Sequence, residues 1–429
     1  MSSSCRTRAR ACLTAELRHN KSIGRFPDGL PLTMRTKTGY DNIDISIMSS
    51  NGDNVNTRLQ MIGERLRLAR EAMGYTQEDV ARALKISRPR YSDIENGKRD
   101  IGLREMEEFA SLFGRPAEHF FSRSVATGQQ AFQVLFRKTA EYTGAGKVVA
   151  KFETLCAKMH ALDALFPHRS STADVPSYSF EKRKLGYWAA ACAGKERRRL
   201  DLGMSPIKDM EELLEEKCGM KIFYLQIPAE SGISGMFTYD ERLGGCILLN
   251  SSNRPSRRQF SLAHEYGHFL FHRHKVGMVS REQEKETADE KIADYFASNF
   301  LMPRESVEEL FQQRVAGKNA TSGDVVYFAE HFGVSFQAML YRLNNLRLFS
   351  DETKDRLLKT SRVEALCRAM GMEPEREGSR SHFPRLYRHL CLKAYHLGRI
   401  TTAKLADFLE IPLCEAMEIA AGIRERGPA

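Results

Sequence analysis

The stretch that most constrains this chain of 429 residues is His264-Glu265-Tyr266-Gly267-His268, an H-E-x-x-H motif. Residues four apart on a helix lie one turn apart on the same face, so both imidazoles can reach one metal ion. Zinc is the usual ion at this motif. Glu265 directly follows the first histidine, where it can act as general base on the water that the metal activates. The motif therefore predicts a metal centre built on one amphipathic helix.

The motif leaves the third protein ligand open, and two interpretations compete. His274 stands where the metzincin pattern H-E-x-x-H-x-x-G-x-x-H has its third histidine. The glycine of that pattern is replaced by Phe271, so we expect the helix to continue and His274 to stay out of reach. His272 lies two turns beyond His264, about 12 Å along the helix axis, which is too far to share one ion.

The second interpretation takes the ligand from residues 287–297, whose apolar spacing predicts another helix. Glu290 and Asp294 share one face of that helix. This Glu-x-x-x-Asp arrangement is that of thermolysin-like enzymes, in which the Glu ligates zinc and the Asp orients a ligand histidine. We therefore expect Glu290 as the third ligand in preference to His274, with Asp294 behind it. For the pair alone, a solvated face of a charged helix is the alternative.

Two separated motifs resemble the ImmA/IrrE family of metallopeptidases, over roughly residues 185–345. They are Phe260-Ser261-Leu262-Ala263-His264-Glu265 with Gly267-His268, and Glu290 with Ala293, Phe296-Ala297 and Leu301-Met302-Pro303. The resemblance implies that His264, His268 and Glu290 bind one zinc ion, with manganese as an alternative, and that Glu265 is catalytic. It also implies a protein substrate, a helix-turn-helix repressor of a phage, mobile-element or stress response.

A different pattern begins near Thr57. Apolar residues at helical spacing run to Gly74, which closes a first helix. Thr76, followed by Asp79, starts a short second helix and is close to a capping box. Ser87 caps a third helix over residues 88–96, with proline in its first turn, where proline is tolerated.

Within this pattern Thr76-Gln77, Ile86-Ser87 and residues 94–99 make the segment 58–121 resemble the helix-turn-helix domain of XRE, or lambda-repressor-like, regulators. Such a domain lays its third helix in the major groove of DNA. The resemblance implies base-facing roles for Arg88, Ser92 and Asp93, with Arg90 and Tyr91 nearby, and phosphate contacts by Gln77, Lys98 and Arg99. A protein-interaction module of the same shape is the alternative.

Composition limits the class of protein. Lys+Arg number 65 against 55 Asp+Glu, a formal net charge of +10, which permits a nucleic-acid partner without requiring one. The nine cysteines are scattered and include no C-x-x-C pair, so we expect reduced thiols in a cytoplasmic protein. No apolar run approaches the ~20 residues needed to span a bilayer, so no membrane partner is expected.

We predict a mostly α protein with a small antiparallel sheet, an α+β class. Strands are expected at 221–225 and in a hairpin of 235–239 with 246–250. The expected segments are a basic, disordered extension (1–56), an all-α helix-turn-helix domain (57–121), a helical connector with an exposed loop (122–184), a zincin-like metallopeptidase domain (185–345) and a helical C-terminal region (346–429).

The functional expectation is a DNA-binding transcriptional regulator that carries a zinc-dependent endopeptidase and cleaves a repressor-type protein. The competing hypothesis is a non-catalytic XRE-type transcription factor whose metal site is structural or sensory. An intact Glu265 favours the enzyme, because a purely structural zinc site has no use for a general base. Residue patterns leave the oligomeric state open, with a homodimer as one arrangement.

Overall fold

The computed structural model describes residues 52–121, 129–139, 144–166, 172–275, 277–281, 286–315, 320–372 and 383–424. These residues contain nineteen α-helices and one sheet of four strands, which confirms the predicted fold class. Residues 1–51 of the extension predicted over 1–56 lie outside the described residues. The described residues divide into two compact units, 56–399 and 400–424 with 52–55.

The elements follow the chain in this order. The helices before the sheet are α1 (Gly52–Ala72), α2 (Gln77–Ala83), α3 (Arg88–Glu95), α4 (Leu103–Phe113), α5 (Ala117–Phe121), α6 (Gln129–Thr139), α7 (Ala145–Asp163), α8 (Leu185–Arg199) and α9 (Met210–Cys218). The sheet contains β1 (Lys221–Leu225), β2 (Ile233–Asp240), β3 (Gly244–Asn250) and, after helix α10 (Pro255–His272), β4 (Gly277–Arg281). The remaining helices are α11 (Ala288–Leu301), α12 (Arg304–Val315), α13 (Ser322–Phe332), α14 (Phe336–Asn345), α15 (Asp351–Thr360), α16 (Val363–Ala369), α17 (Arg385–His396), α18 (Thr402–Leu409) and α19 (Leu413–Arg424).

Local sequence explains the first helices. The Thr76 hydroxyl accepts a hydrogen bond from the Asp79 N–H at 3.2 Å, and the Asp79 carboxylate accepts one from the Thr76 N–H at 2.9 Å, a complete capping box. Ser87 caps α3 by accepting from the Arg90 N–H. Helix α1 passes so close to the end of α3 that a Cβ at Gly63 would lie 2.4 Å from the Glu95 carbonyl oxygen.

The sheet is mixed, with strand order β1-β3-β2-β4. Strand β2 runs antiparallel to β3 and to β4, and β1 runs parallel to β3. The predicted strand at 221–225 and the predicted hairpin are both present. Strand β4 and the parallel pairing of β1 were not foreseen, because a parallel neighbour requires a long crossover that leaves no local turn signal.

Helices pack on both faces of the sheet. On one face Phe237 of β2 contacts Phe269 of α10, with ring centroids 5.7 Å apart. On the other face Phe223 of β1 contacts Phe152 of α7 at 6.3 Å and Tyr387 of α17 at 6.2 Å. Successive strand residues face opposite sides, so each strand supplies both layers. None of the described helices has the length and hydrophobicity that a bilayer-spanning segment requires.

Helix α7 also joins the helix-turn-helix segment to the sheet. Arg115, which follows α4, forms an ion pair with Glu153 of α7 at 2.8 Å, and each side chain is only 9% exposed. The guanidinium of Arg115 also lies over the ring of Phe136 in α6, 5.2 Å from its centroid. Residues 56–121 and the sheet therefore belong to one compact unit.

Replacing Gly63 with alanine should destabilise the protein by about 1–3 kcal/mol, because the added methyl group meets backbone atoms that cannot rotate away. The measurement is denaturant unfolding of the full chain. Gly102→Ala is the matched control, since a Cβ there has no atom within 4 Å among the described residues. Equal stability of the two variants would contradict the close packing of α1 on α3.

Candidate metal centre and DNA interface

Helices α10 and α11 cross at very short range. A Cβ added at Gly267 would lie 3.1 Å from Phe296 Cδ1 and 3.2 Å from the Ala293 Cα. Pro255 occupies the first turn of α10, and the Thr287 hydroxyl caps α11 by accepting from the Glu290 N–H at 3.3 Å. The small residues at the crossing therefore bring the first turn of α11 beside the H-E-x-x-H turn of α10.

Three side chains converge at this crossing. His264 Nε2 lies 3.0 Å from His268 Nε2 and 3.1 Å from Glu290 Oε2, and His268 Nε2 lies 3.2 Å from Glu290 Oε1. Four-coordinate zinc with nitrogen and oxygen ligands at about 2.0–2.1 Å places those ligand atoms roughly 3.3–3.4 Å apart. Two imidazoles and one carboxylate at this spacing fit a zinc ion, and among the described residues they form a buried metal-binding group.

The structure thus brings Glu290, and not His274, to the two histidines. His274 lies on the exposed turn that follows α10. Helix α10 continues through Phe271 to His272, so the chain makes no left-handed turn there that could swing His274 back. This is the arrangement that the phenylalanine in place of glycine predicts.

Glu265 is buried beside the ligands. Its Oε1 points at β2, where a Cβ on Gly235 would lie 2.5 Å away, and the Ser280 side chain of β4 interacts with the same carboxylate. Burial raises the pKa of the Glu265 carboxyl, while the neighbouring His268 and His264 oppose that rise. A buried carboxylate next to a metal site can accept a proton from water held there.

Asp294 orients the first histidine. Its Oδ1 lies 2.8 Å from His264 Nδ1, which leaves Nε2 of the same ring toward Glu290. Burial lowers the pKa of His264, but the hydrogen bonds to Asp294 and Glu290 outweigh it and raise that pKa. Burial likewise opposes ionisation of Glu290, yet hydrogen bonds from His264 and His268 hold the pKa of this carboxyl far below its usual range.

His268 has a partner that sequence reasoning missed. Its Nδ1 lies 3.0 Å from His272 Nδ1, and His272 Nε2 lies 3.2 Å from Asp289 Oδ1. The distance along the helix excludes His272 as a ligand, and the motif by itself suggests no other role for it. The signal that could have found this role is the second four-residue step, since His264, His268 and His272 share one helix face.

The predicted DNA-contacting residues divide into two groups. Four of them project from the surface of the helix-turn-helix segment or its adjoining loop: Arg88, Asp93, Lys98 and Arg99. Ser92 is half-buried on the same helix. These residues are open to a ligand, as the predicted roles require.

The other predicted contacts are engaged inside the domain. Tyr91 is fully buried against Phe109, with ring centroids 5.6 Å apart, so the expectation that it lies near DNA is wrong and the ring belongs to the core. Arg90 forms an ion pair with Glu105 of α4 at 3.1 Å. The Gln77 amide donates to Glu95 at 2.8 Å. The spacing of residues along the sequence does not show which face of a helix as short as α3 packs into the core.

Comparison with known families identifies both halves of this arrangement. Residues 215–344 match the family model described as the IrrE N-terminal-like domain, and residues 66–120 match a helix-turn-helix model. The chain joins a helix-turn-helix domain to an IrrE N-terminal-like domain. The predicted fusion is therefore confirmed, and all three candidate ligands and Glu265 lie in the IrrE N-terminal-like domain, whose fold is metallopeptidase-like.

No curated protein matches the chain. Two solved structures align with it over most of their length. One is the crystal structure of ComR from Streptococcus suis, with 12% identity and a TM-score of 0.14. The alignment covers 86% of this chain and 94% of that chain. The other is Bacillus thuringiensis PlcR in complex with the peptide PapR7 and DNA, with 9% identity, 85% and 95% coverage and a TM-score of 0.15. These TM-scores are too low to define a shared fold.

Glu290→Ala should remove most of the bound metal, because two histidines on one turn cannot complete a zinc site. Elemental analysis of the purified full chain measures the metal content. His274→Ala is the control and should retain the wild-type amount. Full metal content in Glu290→Ala with loss in His274→Ala would instead support the metzincin-like ligand set.

Proposed function

We propose that this protein is a DNA-binding transcriptional regulator whose IrrE N-terminal-like domain is a zinc-dependent endopeptidase. The observation that carries this proposal is the convergence of His264, His268 and Glu290, with the buried carboxylate of Glu265 interacting electrostatically with both histidines. A structural zinc site would need four protein ligands and no base. Three ligands with an adjacent carboxylate are the composition of a hydrolytic site.

Zinc held by these residues would polarise the peptide carbonyl and acidify the attacking water. Glu265 would take the proton of that water and pass it to the leaving amine. Its raised pKa suits the first step, because a more basic carboxylate is a better acceptor of the water proton. Asp294 would keep the His264 ring in the tautomer whose Nε2 is free to ligate.

Strand β4 offers the route by which a polypeptide substrate would reach Glu265. It is an edge strand of the sheet, and its Ser280 pairs with Gly235 of β2, the residue that faces the Glu265 carboxylate. A substrate in extended conformation would add to this edge by β-augmentation. The proposed substrate is a repressor-type protein with a helix-turn-helix fold, in a stress or mobile-element response, as the ImmA/IrrE resemblance implies.

For the helix-turn-helix domain we propose operator binding in the cytoplasm. Arg88 and Asp93 are exposed on α3, and Lys98 and Arg99 are exposed in the loop behind it. Arg88 and Asp93 would contact bases in the major groove. Lys98 and Arg99 would contact backbone phosphates. A homodimer would present two such helices to a two-fold symmetric operator.

Glu265→Gln should preserve zinc and DNA binding, because Glu265 is not a ligand, and should lower substrate cleavage on the order of 10²–10⁴-fold. The assay incubates wild type or variant with candidate helix-turn-helix repressors and identifies fragments by mass spectrometry. Glu305→Gln, at an exposed carboxylate in the first turn of α12, is the matched control and should still cleave. Equal cleavage by Glu265→Gln and wild type would rule out the proposed base.

Arg99→Ala should weaken operator binding and reduce the slope of log affinity against log salt by about 1, as loss of one phosphate contact does. Arg88→Ala should cost roughly 1–3 kcal/mol and relax discrimination at one base pair. Arg67 of α1 is exposed and pairs with Glu64, so Arg67→Ala is the charge-matched control. If all three variants bind equally, the proposed reading surface is wrong.

One observation favours the alternative, a non-catalytic transcription factor with a structural or sensory metal site. The four residues are almost entirely buried, with exposures of 8% for His264, 1% for Glu265, 0% for His268 and 3% for Glu290. The comparison that separates the two functions is transcription of the target in cells carrying wild type or Glu265→Gln. Identical induction without fragments in either strain would favour the alternative.

A further inference from the structure

We propose that His272, backed by Asp289, is a positioning residue for the metal ligand His268. The proposal rests on the proposed metal site and extends it to a side chain that the family resemblance does not assign. The His272 imidazole is fully buried and lies one turn beyond His268 on α10. It touches the ring of the ligand on the side away from the metal position.

Three polar contacts and one ring contact define the arrangement. His268 Nδ1 is 3.0 Å from His272 Nδ1, and His272 Nε2 is 3.2 Å from Asp289 Oδ1. Lys275 forms an ion pair with the other oxygen of Asp289. The ring of Phe180 packs edge-on against the His272 ring with centroids 5.6 Å apart, so packing fixes its plane.

Donor and acceptor counting then fixes the protons. A histidine that ligates a metal through Nε2 carries its proton on Nδ1, so His268 must donate from Nδ1. His272 Nδ1 must therefore accept, which leaves the His272 proton on Nε2. The Asp289 carboxylate, which can only accept, lies 3.2 Å from that Nε2, although the two atoms are not aligned as a hydrogen bond. The three groups are consistent in one arrangement, which keeps the lone pair of His268 Nε2 toward Glu290.

The two ligand histidines are thus oriented by different means. His264 uses the carboxylate of Asp294, whose side chain is 40% exposed. His268 is deeper, and a carboxylate in direct contact with it would add another buried negative charge beside Glu290 and Glu265. The neutral imidazole of His272 instead lies between His268 and Asp289 and orients the His268 ring. The charge of Asp289 stays on a partly exposed side chain beside Lys275.

The test measures zinc affinity of the full chain by competition with a chromogenic chelator. His272→Phe keeps the ring and its packing but removes the acceptor, and it should weaken zinc binding about 10–100-fold, the usual effect of losing such a partner. His272→Gln can accept from His268 and donate to Asp289, so it should recover most of that loss. His274→Phe, on the exposed turn, is the matched control and should bind as wild type does.

Thermal unfolding of the metal-free proteins checks that each variant folds. If His272→Phe is unfolded, Asp289→Ala provides the same test from the surface and should weaken zinc binding several-fold. Wild-type affinity in His272→Phe, or a His272→Gln variant as weak as His272→Phe, would overturn the positioning role. A wild-type protein that binds no zinc would instead overturn the proposed function itself, and the inference with it.

Discussion

The metal centre depends on how closely helices α10 and α11 approach each other. At Gly267 no side chain separates them, and Ala293 presents only a methyl group on the other helix. Because protein interiors are packed as densely as crystals, even one added methylene at the crossing would have to move a helix. The imidazoles and the Glu290 carboxylate meet at 3.0–3.2 Å only while that crossing is kept.

A buried polar network holds the motif helix from behind. The carboxylate of Glu196 in α8 accepts hydrogen bonds from Tyr266 at 2.5 Å, from Tyr178 at 2.8 Å and from Arg199 at 2.8 Å. Glu196 is fully buried, so losing these donors would leave an uncompensated charge in the interior. Tyr266, a variable position of the H-E-x-x-H motif, therefore anchors α10 to α8 and aims the two histidines at α11.

The helix-turn-helix domain is coupled to the same scaffold. The Arg115–Glu153 ion pair is buried between the end of that domain and helix α7, and α7 packs on the face of the sheet opposite α10. Breaking a buried pair of this kind costs about 3–5 kcal/mol. Reorientation of the DNA-binding domain therefore requires a change in α7, the helix that also supports β1 of the sheet.

Local sequence rules were enough to predict several elements of this chain and part of its chemistry. The four-residue spacing of His264 and His268, the caps at Thr76 and Ser87 and the alternating hairpin all depend on near neighbours in the chain, and the structure contains each of them. Phe271 in place of glycine was also sufficient to predict that α10 continues past the motif.

Tertiary packing selected which distant groups meet. It turned Tyr91 into the core, paired Arg90 with Glu105, set β1 parallel to β3 and placed His272 between His268 and Asp289. These outcomes depend on which faces of separate elements pack together. A periodic pattern identifies an apolar face, but the packing of the whole unit selects the partner of that face and of each polar group beside it.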